Sequence, residues 1–229
     1  MSPDGLLRAG TWGSRFVDLS HELADGMAPY PGLPTPRIGP HLDHAASRTH
    51  YDGDEFFLGK VDMPTNVGTY VDAPFHRFLG HDDLSQIPLE RLTGVEGLVV
   101  DATQQPSRGL APRLPTADVE GAAVLICTGW DSRWGTDAYW EPGPYFSDGF
   151  AHRLVDGGVA LVGVDFSNVD DHTTRRRPVH TCLLGAGILI VEHLCNLEAA
   201  PDEGFSFSAI PPKFKGVGTF PVRALARVW

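Results

Sequence analysis

The sequence predicts a mixed α/β fold in a single domain. Its apolar residues fall into several short runs that are rich in β-branched side chains and flanked by glycine, which is typical of strands. Two of these runs, residues 122–128 and 159–164, are apolar almost throughout, as expected for strands that are covered on both faces. A segment with helical periodicity lies between them. The length of 229 residues suits one large domain, and we expect residues 1–15 to form a loose N-terminal extension.

Five strands are predicted along the chain. They cover residues 16–19, 98–101, 122–128, 159–164 and 187–191. Residues 30–40 (YPGLPTPRIGP) are expected to be irregular, because their prolines cannot occupy a helix interior.

Two helices are predicted. Residues 147–156 (SDGFAHRLVD) place Phe150, Leu154 and Val155 on one face, with Ser147 as the N-cap. The glycine pair at 157–158 ends this helix. A second helix is expected near residues 85–92, with Ile87 or Pro88 near its start.

The composition disfavours several classes of partner. Acidic residues number 29 and basic residues 18, and the net charge of −11 is unfavourable for binding nucleic acid or an anionic membrane. The one basic run, residues 175–177, is interpreted as a solvated loop. No apolar run reaches the roughly 20 residues that a membrane span needs, and the first residues lack the apolar core of a secretory signal. We therefore expect a small-molecule partner.

The reactive residues indicate a reducing, cytoplasmic setting and histidine chemistry. Cys127, Cys182 and Cys195 form no C-x-x-C pair. The ten histidines are a larger excess, and histidine is the usual acid, base and metal ligand near neutral pH. The sequence contains no G-x-S-x-G serine elbow, and no G-x-G-x-x-G or P-loop for an organic cofactor.

Residues 65–78 (TNVGTYVDAPFHRF) predict a polar face. Asn66, Tyr70, Asp72 and His76 share one parity, so an extended chain would point these side chains to the same side. An amide, a phenol, a carboxylate and an imidazole are costly to bury in an apolar core. We therefore interpret this face as the wall of a pocket.

Two isolated polar residues, His180 and Glu192, interrupt the apolar segment 179–197. Taken singly, they are explained as a hydrogen-bonded histidine and a partly exposed glutamate. Together with Asp72 and His76 they form a set that suits a divalent metal or an acid–base pair. The interpretation requires these four side chains, from two distant segments, to converge.

The segment 66–76 also belongs to an ordered series of matches along the chain. It reads NVGTYVDAPFH, against a family signature of His-x-Gly-Thr-His-x-Asp-x-Pro-x-His. The other matches are Asp18-Leu19-Ser20-His21, Tyr30-Pro31-Gly32, Thr128-Gly129-Trp130, Gly163-Val164-Asp165, His180, Glu192, Leu194 and Pro221-Val222-Arg223. In these features the chain resembles the cyclase superfamily, which includes bacterial kynurenine formamidase and isatin hydrolase.

The resemblance implies a swivelling β/β/α domain with a mixed sheet, and a chain that assembles as a homo-oligomer. It also implies that His21 lies near the substrate pocket. Trp130, in another matched segment, is our candidate for stacking on a planar substrate.

The departures from the signature concern metal binding. At positions 66 and 70 the family has histidines that help to hold the metal, whereas this chain has Asn66 and Tyr70. A carboxamide and a neutral phenol are poorer ligands for Zn²⁺ or Mn²⁺ than imidazole. The resemblance therefore implies a degenerate metal site.

Two interpretations of this site follow. In the first, one divalent metal, Zn²⁺ or Mn²⁺, is held by Asp72, His180 and Glu192, with His76 as a further ligand or as a base. In the second, the site is metal-free, and the side chains at positions 66 and 70 supply hydrogen-bond donors in place of the metal.

Three functions remain open on the sequence alone. The first is a formamidase-like hydrolase of an amide, lactam or ester bond, in which His76 passes a proton to the leaving group. The second is a metal-independent lyase, cyclase or isomerase that uses Tyr70, Asp72 and His76. The third is a non-catalytic protein that binds a small molecule.

Overall fold

The structure, a computed structural model, describes residues 15–115 and 119–229. Within these residues the strands are β1 (Arg15–Asp18), β2 (Arg37–Leu42), β3 (Leu58–Asp62), β4 (Tyr70–Asp72), β5 (Val95–Asp101), β6 (Gly109–Leu110), β7 (Ala123–Cys127), β8 (Tyr145–Phe146), β9 (Leu161–Val164), β10 (Leu189–Glu192), β11 (Phe205–Ile210), β12 (Thr219–Pro221) and β13 (Arg223–Val228). The α-helices are α1 (His44–His50), α2 (Asp148–Asp156) and α3 (Pro178–Gly185).

One nine-stranded mixed sheet organises the molecule. Its strand order is β1-β13-β11-β5-β7-β9-β10-β4-β12. The four central strands β5, β7, β9 and β10 run parallel, and the strands on both sides of them pair antiparallel. Two small two-stranded sheets, β2-β3 and β6-β8, lie outside it. The predicted mixed α/β fold is confirmed.

Both faces of the central strands are buried. Along β7, Leu125 packs into the cluster on one face, which includes Phe205 and Phe207. Its neighbour Ile126 packs into the cluster on the other face, together with residues of α2 and α3. Since successive side chains of a strand point to opposite faces, burial of both faces explains why these strands read as continuous apolar runs.

The five predicted strands are confirmed as β1, β5, β7, β9 and β10, with ends that differ from the predicted ones by at most three residues. The helix at residues 147–156 is confirmed as α2. The Ser147 side chain caps it by accepting a hydrogen bond from the backbone N–H of Phe150, and Gly157 follows its last residue. The predicted N-terminal extension lies outside the described residues except for Arg15, which begins β1.

The second predicted helix, near residues 85–92, is wrong. Only one 3-10 turn, Leu89–Arg91, forms there, and Pro88 before it is extended. The side chain of Asp83 accepts hydrogen bonds from the backbone N–H and the hydroxyl of Ser85. This local turn competes with a helical start, and Pro88 has no N–H to contribute to a helical hydrogen bond.

The segment 30–40 is irregular only in its first part. Residues 37–42 form β2, which pairs antiparallel with β3, and the pairing register shifts between Pro40 and Leu42. Proline is tolerated in such a two-stranded ribbon because its missing N–H costs little at an edge or a bulge. Among the described residues, no helix has the length and apolar character required to cross a membrane.

Candidate active site

The site is built where β4 pairs with β10. In this antiparallel register Tyr70 lies opposite Glu192, and Asp72 lies opposite Ile190. Ile190 belongs to the core cluster on the helix-bearing face. By strand alternation, the side chains of Tyr70, Asp72 and Glu192 share that face. Helix α3 packs against β10 and adds His180 to the group.

Asp72, His180 and Glu192 form a compact buried cluster, which we call the acidic cluster. One ligand atom from each residue lies within 4.8 Å of the other two, and all three residues are buried. The Nε2 atom of His180 is 3.7 Å from Asp72 Oδ2 and 3.7 Å from Glu192 Oε1. Among the described residues, neither carboxylate oxygen of Asp72 has a hydrogen-bond partner.

Asp170 holds His180 in place. Its Oδ2 atom is 2.6 Å from His180 Nδ1, and its carboxylate also accepts the backbone N–H groups of Val179 and His180. A proton on Nδ1 therefore points to Asp170, and Nε2 faces the carboxylates of Asp72 and Glu192. Nε2 offers a lone pair in that direction once a bound cation has displaced its proton. A histidine oriented in this way by a carboxylate is typical of metal sites.

The acidic cluster attracts positive charge. Burial alone would lower the pKa of His180, but the hydrogen bond that its Nδ1–H donates to Asp170 and the negative charges of Glu192 and Asp72 raise the pKa to about 10. Burial raises the pKa of Glu192, and the charge of Asp72 adds to this effect. A buried group of two carboxylates and an imidazole thus favours a cation between them, and its donor set suits Zn²⁺ or Mn²⁺.

Tyr70 and Asn66 lie beside the cluster. The Tyr70 hydroxyl donates a hydrogen bond to Glu192 Oε2, and the Asn66 amide also hydrogen-bonds this hydroxyl. The Oδ1 atom of Asn66 accepts a hydrogen bond from the hydroxyl of Thr219, at 3.0 Å. Burial, followed by the charges of Glu192 and Asp72, raises the pKa of Tyr70 well above its usual value. Tyr70 is therefore a neutral donor.

His76 lies at the open side of the cluster. Its side chain is 36% exposed, and its Nε2 atom is 4.0 Å from Asp72 Oδ1. The extended chain that we predicted over residues 66–76 is not the reason for this position. β4 ends at Asp72, and the 3-10 turn Pro74–His76 brings His76 to the cluster. Pro74 starts this turn because its ring presets the backbone and it lacks the N–H that a strand would need.

An aromatic wall adjoins Tyr70. The rings of His193, Tyr139, Trp134 and Trp140 lie within 6 Å of one another in successive pairs, and His193 is 5.3 Å from the Tyr70 ring. His21 stacks on Trp134 with ring centroids 4.0 Å apart. Aromatic and imidazole faces of this kind suit a planar substrate.

The structure brings most of the predicted site residues together. Asp72, His180 and Glu192 form the acidic cluster, while Asn66, Tyr70 and His76 border it. His21 lies in the aromatic wall. Trp130 lies behind this wall: its Nε1–H donates to the carbonyl of Tyr139, and its ring contacts Gly143 and Arg133.

Sequence analysis missed Asp170, Trp134 and His193. Asp170 lies five residues before the arginine run that we interpreted as a solvated loop, yet it is itself buried. No capping signal pointed to it, because Asp170 is eight residues before Pro178 and the N-cap position of α3 is Arg177. His193 directly follows Glu192, and nothing in the sequence indicated the left-handed backbone (φ of 58°) that turns it to the wall.

Comparison with known proteins gives consistent matches. The Cyclase family model ("Putative cyclase") matches residues 17–171. Kynurenine formamidase of Geobacillus thermodenitrificans is 28% identical over 214 residues, covering 93% of this chain and 97% of the relative. That of Salinibacter ruber is 30% identical over 217 residues, with the same coverage.

Solved structures also match most of the chain. Isatin hydrolase A from Ralstonia solanacearum superposes with a TM-score of 0.78 at 25% identity, covering 95% of this chain and 93% of that protein. The family model contains the segment with Asp72 and His76, and the pairwise matches extend over most of the chain. The chain therefore belongs to the cyclase family.

Proposed function

We propose that this protein is a metal-dependent hydrolase of an amide or lactam C–N bond. The observation that carries the proposal is the acidic cluster, in which the buried carboxylate of Asp72 has no hydrogen-bond partner among the described residues and faces a preoriented His180. The relatives named kynurenine formamidase and isatin hydrolase support hydrolysis of a C–N bond. An acyl derivative of an aromatic amine is the substrate class that these names suggest.

Asp72, His180 and Glu192 would hold one Zn²⁺ or Mn²⁺ ion. Such an ion supplies a Lewis acid that polarises the scissile carbonyl and acidifies water. The residues around it keep the ligands in position: Asp170 orients His180, and Tyr70 donates to Glu192. Asn66 and Tyr70 act here as hydrogen-bonding supports, because the phenol is already engaged with Glu192 and the amide with the phenol and with Thr219.

His76 is the residue proposed to move protons. Its imidazole lies beside the cluster and is partly exposed to solvent. Its Nε2 atom is 4.0 Å from Asp72 Oδ1, near enough to act on a molecule bound at the cluster. An imidazole in this position can take a proton from attacking water and deliver it to the leaving nitrogen. The aromatic wall would hold the planar part of the substrate against Trp134 and His21.

The metal-independent alternative, in which Tyr70 donates to a developing oxyanion, is less favoured. The Tyr70 hydroxyl proton is directed to Glu192, and the group is buried. A donor committed to a buried carboxylate is not free to stabilise a substrate oxygen unless that bond is broken first.

The test combines elemental analysis with turnover of N-formylkynurenine and isatin. After incubation with Zn²⁺ or Mn²⁺ and desalting, we expect about one equivalent of metal. We also expect hydrolysis that a chelator abolishes. Asp72→Asn should lose both properties, whereas Asp62→Asn, at an exposed position of β3, should keep both.

Two results would reject this function. Retention of less than about a tenth of an equivalent of metal, with activity that resists the chelator, would reject the metal-dependent form. A full metal complement without turnover of either substrate would reject amide hydrolysis and favour a binding protein.

A further inference from the structure

Four arginines line one cavity outside the acidic cluster. The cavity has a volume of about 650 Å³ and we call it the arginine cavity. Its lining consists of Arg77, Arg175, Arg176, Arg177, His152, Pro178, Thr181 and Cys182. So many cations around one opening are unexpected in a chain with a net charge of −11, because like charges in proximity repel.

The arginines come from two separate segments and are held by neutral partners. Arg77 donates from Nε to the hydroxyl of Thr181, at 2.9 Å. Arg177 donates to the carbonyl groups of Thr174 and Arg176, at 2.9 and 2.8 Å. No salt bridge among the described parts of the chain includes any of the four arginines. No carboxylate of residues 15–115 or 119–229 therefore neutralises their positive charge in an ion pair.

The arginine cavity adjoins the candidate active site. Arg77 directly follows His76, and Thr181 directly follows His180. Arg177 hydrogen-bonds the hydroxyl of Tyr30, and that hydroxyl is close enough to Glu192 to be influenced by its charge. The Tyr30 ring also contacts the edge of Trp140 in the aromatic wall. Arg177 is thus linked to the site through Tyr30, and Arg77 through its chain neighbour His76.

We propose that the arginine cavity is an oxyanion subsite, which binds the carboxylate or phosphate group of the substrate while the scissile amide lies at His76 and the acidic cluster. This inference rests on the proposed hydrolase function. Guanidinium groups bind planar and tetrahedral oxyanions through paired N–H donors. Their unneutralised charge also attracts anionic molecules to an otherwise acidic protein. The favoured substrates are therefore anionic amides.

Anion binding is measured first, without turnover. The metal-loaded protein is titrated by calorimetry with sodium benzoate and with inorganic phosphate at constant ionic strength. We expect one saturable site. Arg77→Gln and Arg177→Gln should each raise the Kd at least about tenfold, the loss typical of one charge-assisted hydrogen bond. Arg113→Gln, which changes an exposed arginine elsewhere, is the matched control and should change the Kd less than twofold.

Tighter binding of benzoate than of phosphate assigns the subsite to carboxylates, and the reverse assigns it to phosphate esters.

Kinetics then connect the subsite to the reaction. The ratio of kcat/KM for N-formylkynurenine, which carries a carboxylate, to that for neutral formanilide should fall at least about tenfold in Arg177→Gln, mainly through KM. Arg177→Lys should recover part of this ratio, because it restores the charge without the paired donors.

The outcomes separate the two proposals. If neither anion binds, or if Arg113→Gln weakens binding as much as Arg177→Gln does, the oxyanion subsite is rejected. It is also rejected if formamides are hydrolysed with a ratio that Arg177→Gln leaves unchanged, and the hydrolase function then stands. Saturable anion binding that needs Arg77 and Arg177, without hydrolysis of any formamide, retains the site and rejects the hydrolase.

Discussion

At the scale of single residues, the site depends on buried polar groups that are each engaged by a specific partner. Asp170 binds His180, and Tyr70 binds Glu192. A buried polar group that loses its partner costs more than the hydrogen bond contributed, because the group that remains stays desolvated. The consequences of removing these partners differ, since Asp170 orients a proposed metal ligand and Tyr70 donates a hydrogen bond to a buried acid.

Asp170→Asn is expected to weaken metal binding. The amide can still occupy the position, but it no longer favours a proton on His180 Nδ1 as a carboxylate does. The Nε2 atom is then less consistently the nitrogen that is free to bind the metal. Loss of such an orienting carboxylate typically costs about 10- to 100-fold in metal affinity. Competition against a fluorescent zinc chelator measures it. Asp171→Asn, which removes the exposed pairing with Arg108, should change the affinity less than about threefold. Equal losses in the two variants would show that orientation of His180 is not the cause.

Tyr70→Phe is expected to destabilise the folded chain. It leaves the buried Glu192 without its hydroxyl donor, at a cost of about 1–3 kcal/mol in the free energy of unfolding. Urea denaturation of the metal-free protein measures the change. Tyr51→Phe, at an exposed position, should change this free energy by less than about 0.5 kcal/mol. A Tyr70→Phe protein as stable as the wild type would contradict the role assigned to this hydrogen bond.

At the scale of elements, the site forms where β4, β10, α3 and the turn that carries His76 pack together. The turn Pro74–His76 packs against the chain just before β12: a Cβ atom added at Gly218 would lie 2.5 Å from the backbone nitrogen of His76 and 2.7 Å from its Cα. The carbonyl of Gly218 also accepts the backbone N–H of Ala73. Glycine at 218 therefore allows the turn to sit close enough for His76 to face Asp72.

Gly218→Ala is expected to displace the turn. The added methyl group meets backbone atoms that cannot rotate away, so stability should fall by about 1–3 kcal/mol. The displacement of His76 should lower kcat/KM toward formamides at least about tenfold. Gly149→Ala in α2, where an added Cβ meets nothing within 4 Å, is the matched control and should stabilise the protein by about 0.5–1 kcal/mol. Unchanged kcat/KM in Gly218→Ala would show that the turn tolerates displacement.

At the scale of the whole molecule, one sheet divides two apolar cores, and buried histidines couple its stability to pH. Burial lowers the pKa of His21 to about 4. The unfolded chain binds this proton near pH 6.5, so the folded state binds fewer protons between pH 6.5 and 4. The stabilising contribution is complete above pH 6.5 and is lost as the pH falls toward 4.

The pH dependence of unfolding should therefore be smaller in His21→Gln. Between pH 7 and pH 4.5 we expect the variant to lose about 1 kcal/mol less free energy of unfolding than the wild type, after allowance for the partial exposure of this side chain. Urea denaturation at a series of pH values gives the comparison. His41→Gln, at an exposed position of β2, should retain the wild-type dependence. Parallel curves for His21→Gln and the wild type would contradict this coupling.

The central strands and α2 were predictable because their signals are local. Residues 122–128 and 159–164 are apolar throughout, and Ser147 and Gly157 mark the ends of α2. Helix α3 was not predicted, because the face opposite its buried residues carries Thr181, Cys182 and Gly185 and no charged residue, so the segment lacks a clear amphipathic pattern. The C-terminal strands β11–β13 were also missed, because pairing with neighbouring strands contributes more to their formation than the propensities of their own residues.

The sequence by itself determined the mixed α/β class, the family and the group of acidic and imidazole residues at 66–76, 180 and 192, because periodicity and motifs are properties of neighbouring residues. Only the tertiary structure decided which of these side chains meet. The register between β4 and β10 sets Tyr70 against Glu192, and α3 delivers His180 with Asp170 behind it. It also decided that Arg77 shares a cavity with the arginine run, since the contact of Arg77 with Thr181 spans 104 residues and no local pattern encodes such a distance.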